Sequence, residues 1–313
     1  MRVSRFIVPG VVVALLLLTA PNAVAQTDPC ADSAQLVLQS DLLEARADRW
    51  ENTAKANTFD DPETRRRILR LIAEQYEEDV ELAEAQYQAR LDLCELTGEG
   101  RYDPDIDPDN FLSPAEIAAN PNPFWPLVPG TVYLYRGETD EGVEHNVVHV
   151  TNDTREIMGI ECVVVHDVVF LNGEKIEDTG DWYSQDKDGN VWYFGELTFE
   201  YEDGEIIGIE GSWETGVDGA KPGIVMQANP VVGQAYRQEF DLGNVEDAAQ
   251  VLSLDESVSV PYGDFEDCLM TGEFTPIEPE VYENKFYAKG IGFLVEVKPK
   301  TGERHELIDI QFR

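Results

Sequence analysis

The chain has 313 residues, of which 62 are Asp or Glu and 23 are Lys or Arg, for a formal charge of −39. So acidic a surface argues against nucleic acid or an anionic membrane as partner, because both require a basic face. It draws cations and repels itself in the compact state, which ties stability to salt and divalent ions.

Residues 1–25 read as a cleavable export signal. Arg2 and Arg5 precede an apolar run over residues 6–20, and small residues flank a cut before Gln26. The unbroken core, residues 11–20, is about half of the roughly 20 residues that a spanning helix needs. Cys30 follows Thr27, Asp28 and Pro29, so no lipobox precedes it. The expectation is an exported protein, periplasmic or extracellular, with no membrane span after cleavage. Its four cysteines show no C-x-x-C spacing, which favours disulfides over metal thiolates.

Residues 31–57 carry apolar side chains at helical spacing without Gly or Pro. Asp61 and Pro62 then open a second helical pattern running to Cys94. Folded at the turn near residue 60, the two helices bring Cys30 beside Cys94. That bridge closes a loop whose constraint is worth about 4 kcal/mol in the chain-entropy account. Cys162 and Cys268 are left for each other. Residues 99–129, rich in Pro, Gly and Asp, read as a linker with a capped helix over 113–119 and with Phe124 and Trp125 tucked into the β-domain that begins at residue 130.

From residue 131 the apolar period becomes two. About ten segments rich in β-branched and aromatic residues are separated by Asn-Gly and Asp-Gly turns, with a short helical stretch over 245–251. The expected class is α+β: a signal peptide (1–25), a disulfide-clamped antiparallel helical hairpin (26–98), a linker (99–129) and an antiparallel β-meander domain (130–313). That domain curls strongly or forms an open barrel.

The densest segment is residues 181–196, DWYSQDKDGNVWYFGE. A reversal at residues 187–189 puts Trp182, Ser184, Asp186, Asn190, Trp192 and Phe194 on one face and pairs Tyr183 with Tyr193 on the other. Trp182, Tyr183, Trp192, Tyr193 and Trp213 are the candidate ligand-binding aromatics. Asp186, Asp188 and Asn190 are candidate oxygen ligands for calcium, the one cofactor the sequence suggests, although no EF-hand pattern surrounds them. With GEGRYDP at 98–104, NPFWPLVPG at 122–130 and GAKPGI at 219–224, this segment resembles a group of exported bacterial proteins of uncharacterised function. The YAKGIG stretch at 287–292 is similar to strand ends of other exported proteins with curved sheets. The resemblance implies membership and brings no reaction with it.

Motif searches give little chemistry. Gly-x-Ser-x-Gly is absent, and His305-Glu306 lacks the second histidine of a zincin because its fifth position is Asp309. His145 and His149 lie on one strand, about 13 Å apart and too far for one ion. The leading expectation is a non-enzymatic binding or structural protein whose concave aromatic side receives an apolar small molecule or a partner protein segment. The alternatives are a divalent-cation-binding protein and a hydrolase using two carboxylates.

Overall fold

A computed structural model describes residues 28–98 and 100–312; the expected signal peptide lies outside them. Helix α1 (Pro29–Ala56) starts where the Asp28 carboxylate accepts hydrogen bonds from the N–H groups of Cys30 and Ala31, at 3.1 and 3.0 Å. Helix α2 (Pro62–Thr97) is capped by Asp61, which accepts from Thr64 N–H at 2.8 Å. Both have Pro in the first turn, where a missing N–H costs nothing. They form the expected hairpin, and Cys30 is bonded to Cys94 with their Cα atoms 5.9 Å apart. Small side chains of the two helices, Ala34, Ala45, Ala56 and Ala83, are buried, while Leu43 and Trp50 stay exposed. The foot of the hairpin docks on the β-region: Gln86 Nε2 donates to the Ile277 carbonyl, and Arg90 pairs with Glu246. Among the described residues no helix is long and apolar enough to cross a membrane.

The β-region opens with a meander of long strands: β1 (Thr131–Thr139), β2 (Gly142–Ile157), β3 (Ile160–Leu171), β4 (Glu174–Gln185) and β5 (Val191–Glu202). Short strands come next: β6 (Glu205–Gly208), β7 (Trp213–Glu214), β8 (Lys221–Met226), β9 (Ala235–Arg237) and β10 (Glu239–Phe240). A second meander completes it: β11 (Ala248–Val260), β12 (Gly263–Phe274), β13 (Tyr282–Ala288), β14 (Gly292–Val297) and β15 (Arg304–Phe312). All fifteen belong to one antiparallel sheet that is not closed, with β15 beside β1 joining the two meanders.

One short segment touches both ends of that sheet. β9 pairs with β11, the outermost strand of the second meander, and β10 pairs with β8 beyond the first. Gln238, between them, and Glu239 both donate their backbone N–H to the Asp247 carbonyl, at 2.7 and 3.2 Å. The approach to β8 is so close that a Cβ on Gly223 would lie 2.1 Å from the Gln238 carbonyl oxygen. Only glycine fits there.

Residues 108–128 cross one end of the curved sheet as a plug. Helix α3 (Pro114–Ala119) buries Ile117, and Phe124 and Leu127 enter the same apolar core. Asn122 pins the segment: its backbone N–H donates to Gln185 Oε1, its side-chain amide to the Gly189 and Gln227 carbonyls, and its Oδ1 accepts from Phe124 N–H.

Two expectations are corrected. Cys162 and Cys268 are free, buried thiols. They stand on β3 and β12, with five strands between them in the sheet order and in separate apolar clusters, so elimination paired residues that the topology keeps apart. The expected helix over 245–251 is not formed: Val245 bridges to Asp241, and residues 248–251 are the start of β11. Ala248, Ala249 and Val251 are buried between neighbouring strands, and that burial overrides the helical preference of alanine.

Protein denatured without reductant should therefore present two reactive thiols to a thiol reagent, and four after reduction; none before reduction would contradict the assignment. Gly223→Ala should lower stability by roughly 1–3 kcal/mol through overpacking against the Gln238 backbone, read by denaturant melting.

Candidate functional site

Strand alternation sends every second side chain of the two meanders inward, and the inward set changes character along the strands. Next to the plug it is aromatic. Trp125 meets Tyr183 and Tyr287 at ring distances of 5.6 and 6.1 Å, Tyr183 stacks on Tyr193 at 4.4 Å, and Tyr135 meets Phe293 at 5.2 Å. Farther along the same strands it is acidic. These side chains surround a cavity of about 370 Å³ whose described lining holds seven carboxyl groups: Glu144, Asp167, Asp181, Glu239, Asp247, Glu273 and Glu296. Lys285 and His305 are the cationic or basic groups among them.

Buried charge on this scale persists only where it is paired or neutralised by a proton, and both occur. Lys285 Nζ lies 3.1 Å from Glu273 and 3.8 Å from each of Glu283 and Glu296. Burial opposes the charge on Lys285, but Glu273, Glu296 and Glu283 together raise its pKa. Burial would likewise raise Glu273; Lys285 and the donated hydroxyl bonds of Thr271 and Tyr287, both 2.8 Å, hold it low. His305 Nδ1 lies 3.1 Å from Glu144, and that bond holds the Glu144 carboxyl below its ordinary range.

The other arrangement is a triad of two carboxyls on one phenol. The Tyr193 hydroxyl oxygen lies 2.5 Å from Asp181 Oδ1 and 2.6 Å from Glu196 Oε2. One hydroxyl has a single proton to donate, so the second contact requires a protonated carboxyl. The electrostatics agree. Burial pushes Asp181 up to about 6, and burial together with the Asp181 charge pushes Glu196 up to about 8. Asp167 is raised by burial and then by Asp181, and Glu239 by burial and then by Asp247. Burial, reinforced by Glu296 against the pull of Lys285, lifts Glu283 to about 7. Much of this acidity therefore stores protons near neutral pH.

The five expected aromatics divide between surfaces. Tyr183 and Tyr193, opposite each other on β4 and β5, line the cavity. Trp213 backs Tyr193 edge-on at 5.5 Å. Trp182 and Trp192 face the other way, into or against a small outer cluster with Ile157, Ile160 and Phe194, and Arg155 lies 3.9 Å over the Trp182 ring. The expected calcium oxygens are already engaged. The Asp186 carboxylate accepts from Asn190 N, Asn190 Nδ2 and Trp192 Nε1, each at 2.8 Å, Asn190 Oδ1 accepts from Ala228 N–H, and Asp188 is exposed. Three N–H donors turned on Asp186 stabilise the hairpin and occupy carboxylate lone pairs. Among the described residues no three or more His, Cys, Asp or Glu side chains gather as metal ligands.

Asp181 was within reach of sequence reasoning, because it lies two residues from Tyr183 and shares its face. Glu196 was not. It stands three residues from Tyr193, an odd step, and reaches the same phenol only because the ladder shifts register at Tyr183–Tyr193 and Gly195 takes a φ of 136°.

No family model and no curated protein match the chain. Among solved structures, one described as "a putative lipoprotein from Parabacteroides distasonis" is similar at 11% identity, over 60% of this chain and 98% of its own, with a TM-score of 0.31. A likeness at that level carries no argument about fold or function.

The raised carboxyls make stability depend on pH. Between about pH 4 and about pH 8 the folded chain binds more protons at Asp181, Glu283 and Glu196 than the unfolded chain does. Their contribution is complete below the ordinary carboxylate range and is lost as pH climbs through their folded values. Glu144 and Glu273, held low, act below this window. At fixed ionic strength the melting temperature should therefore fall from about pH 5 to about pH 8.5, and Glu196→Gln should flatten the fall. A rise over that window would contradict the proton-sharing arrangement.

Proposed function

We propose that this chain is an exported, non-enzymatic binding protein whose curved sheet holds a small organic cation, with an aromatic or apolar body on the tyrosine floor and a protonated amine among the carboxyls. The observation that carries the reading is the cavity in which Trp125, Tyr183, Tyr193 and Tyr287 adjoin seven acids. Aromatic faces attract cations, and buried carboxylates reward them most once desolvated. A volume of about 370 Å³ lies within the range of small-molecule sites. The wholly apolar ligand expected from the aromatics alone fits less well, because it would leave these acids without a partner. Work outside the cytoplasm is supported by the Cys30–Cys94 disulfide, and the resemblance of residues 182–196 to exported bacterial proteins points the same way.

One observation favours a second reading. Asp181 and Glu196 are convergent buried acids with separated pKa values, the arrangement of a carboxylate hydrolase. Yet the Tyr193 hydroxyl fills the gap where water or a scissile bond would have to stand. Binding is the better account.

The test is tryptophan fluorescence titration with phenethylamine and with its neutral counterpart phenylethanol. The amine should bind more tightly at about pH 8 than at about pH 5.5, by roughly tenfold for one carboxyl charge gained. Asp181→Asn should remove most of that gain. Equal affinity for amine and alcohol at every pH would overturn the reading.

A further inference from the structure

The strand segment that turns Gln238 and Glu239 to the lumen turns Arg237 and Phe240 the other way, onto a second cavity at the foot of the hairpin. This cleft, about 570 Å³, lies between the disulfide end of α1 and α2 and residues 100–102, 218–221 and 237–246. Its deep charges are two guanidinium groups, Arg90 and Arg237, and one carboxylate, Glu246. Arg237 is 7% exposed and forms no salt bridge with a described residue; its one hydrogen-bond acceptor is Cys30 Sγ, 3.7 Å from Nη2. The rings of Phe240 and Tyr102 flank it at 5.1 and 5.7 Å. Arg90 is 4% exposed and commits Nε and Nη2 to the same Glu246 oxygen, at 2.9 and 2.8 Å. In both arginines Nη1 is buried without a partner.

A guanidinium carries five N–H donors and its charge at every accessible pH, so burial without a carboxylate is costly. The buried pair of arginines faces one buried acid, Glu246. At the opening Arg101 and Lys221 stand among Asp32, Asp218 and Asp241, which outnumber them, and Lys221 is paired with Asp103 at 2.7 Å, so the local positive charge comes from the buried arginines. A chain of formal charge −39 disfavours anions at long range, so any anion it does bind is held by local donors.

We propose that this cleft is a binding site for an oxyanion, the carboxylate or phosphate group of a small ligand, held against the Arg90 and Arg237 guanidinium groups, whose buried Nη1 donors have no partner among the described residues, beside the Tyr102 and Phe240 rings. Forked donors of this kind match either group. The site is separate from the lumen and does not depend on what the lumen binds.

The test is calorimetric titration of the oxidised chain with inorganic phosphate and, in a second arm, with succinate, both at ionic strength held constant with NaCl. Saturable binding of one anion per chain is expected, and the tighter arm identifies which oxyanion the cleft prefers. Arg101→Glu, an exposed change at the opening, should weaken it tenfold or more. Lys55→Glu, the same change of charge at the tip of the hairpin, should leave it unaltered. Arg237→Gln should abolish binding if it folds, and the Arg101 and Lys55 variants decide the matter if it does not. Absence of saturable binding in both arms, or equal weakening by the Arg101 and Lys55 variants, would overturn the proposal.

Discussion

Residues 235–240 hydrogen-bond to β11 at one end of the sheet and to β8 at the other, and both cavities described above depend on that double attachment. The two meanders alone would form an open curved sheet with a wet concave face. The crossing segment draws their free ends together, at an approach that only Gly223 permits. It also distributes charge. Gln238 and Glu239 face the lumen while Arg237 and Phe240 face the foot of the hairpin, so one short segment supplies an acid to one cavity and a guanidinium to the other.

The lumen is an expensive interior. Apolar residues could have filled it, and buried ion pairs rarely stabilise a protein more than such packing does. Here the cost is contained by two devices: Lys285 is held among three glutamates, and burial raises Asp167, Glu239 and Glu196 towards their protonated forms, Glu196 to about 8. Both leave polar groups poised beside an aromatic floor. Polar interiors kept at a cost in stability are characteristic of functional sites.

Much of the architecture was legible in the chain. Asp61 as a cap, Pro62 in a first turn, and cysteines equidistant from a turn define the hairpin and its bridge. Period-two patterning and Asn-Gly or Asp-Gly turns define the antiparallel meanders. The pairing of Tyr183 with Tyr193 followed from alternation about one tight turn. What could not be read depends on contacts between distant segments. Strand order keeps Cys162 from Cys268, burial turns residues 248–251 into strand, and a bulge brings Glu196 onto the Tyr193 hydroxyl. Of the five candidate aromatics only Tyr183 and Tyr193 line the cavity, for a related reason: a strand shows two faces, and the sheet's curvature decides which one is enclosed.

The central claim, that the lumen stores protons which an organic cation displaces, is tested most directly by calorimetry of phenethylamine binding near pH 7 in buffers of different ionisation enthalpy. Because burial raises the lining carboxyls Asp167, Glu239 and Asp181, the last to about 6, a bound ammonium should lower their pKa values and release protons to the buffer. The observed heat should then vary linearly with buffer enthalpy, with the sign of proton release. Binding with the same heat in every buffer, or with proton uptake, would contradict the account.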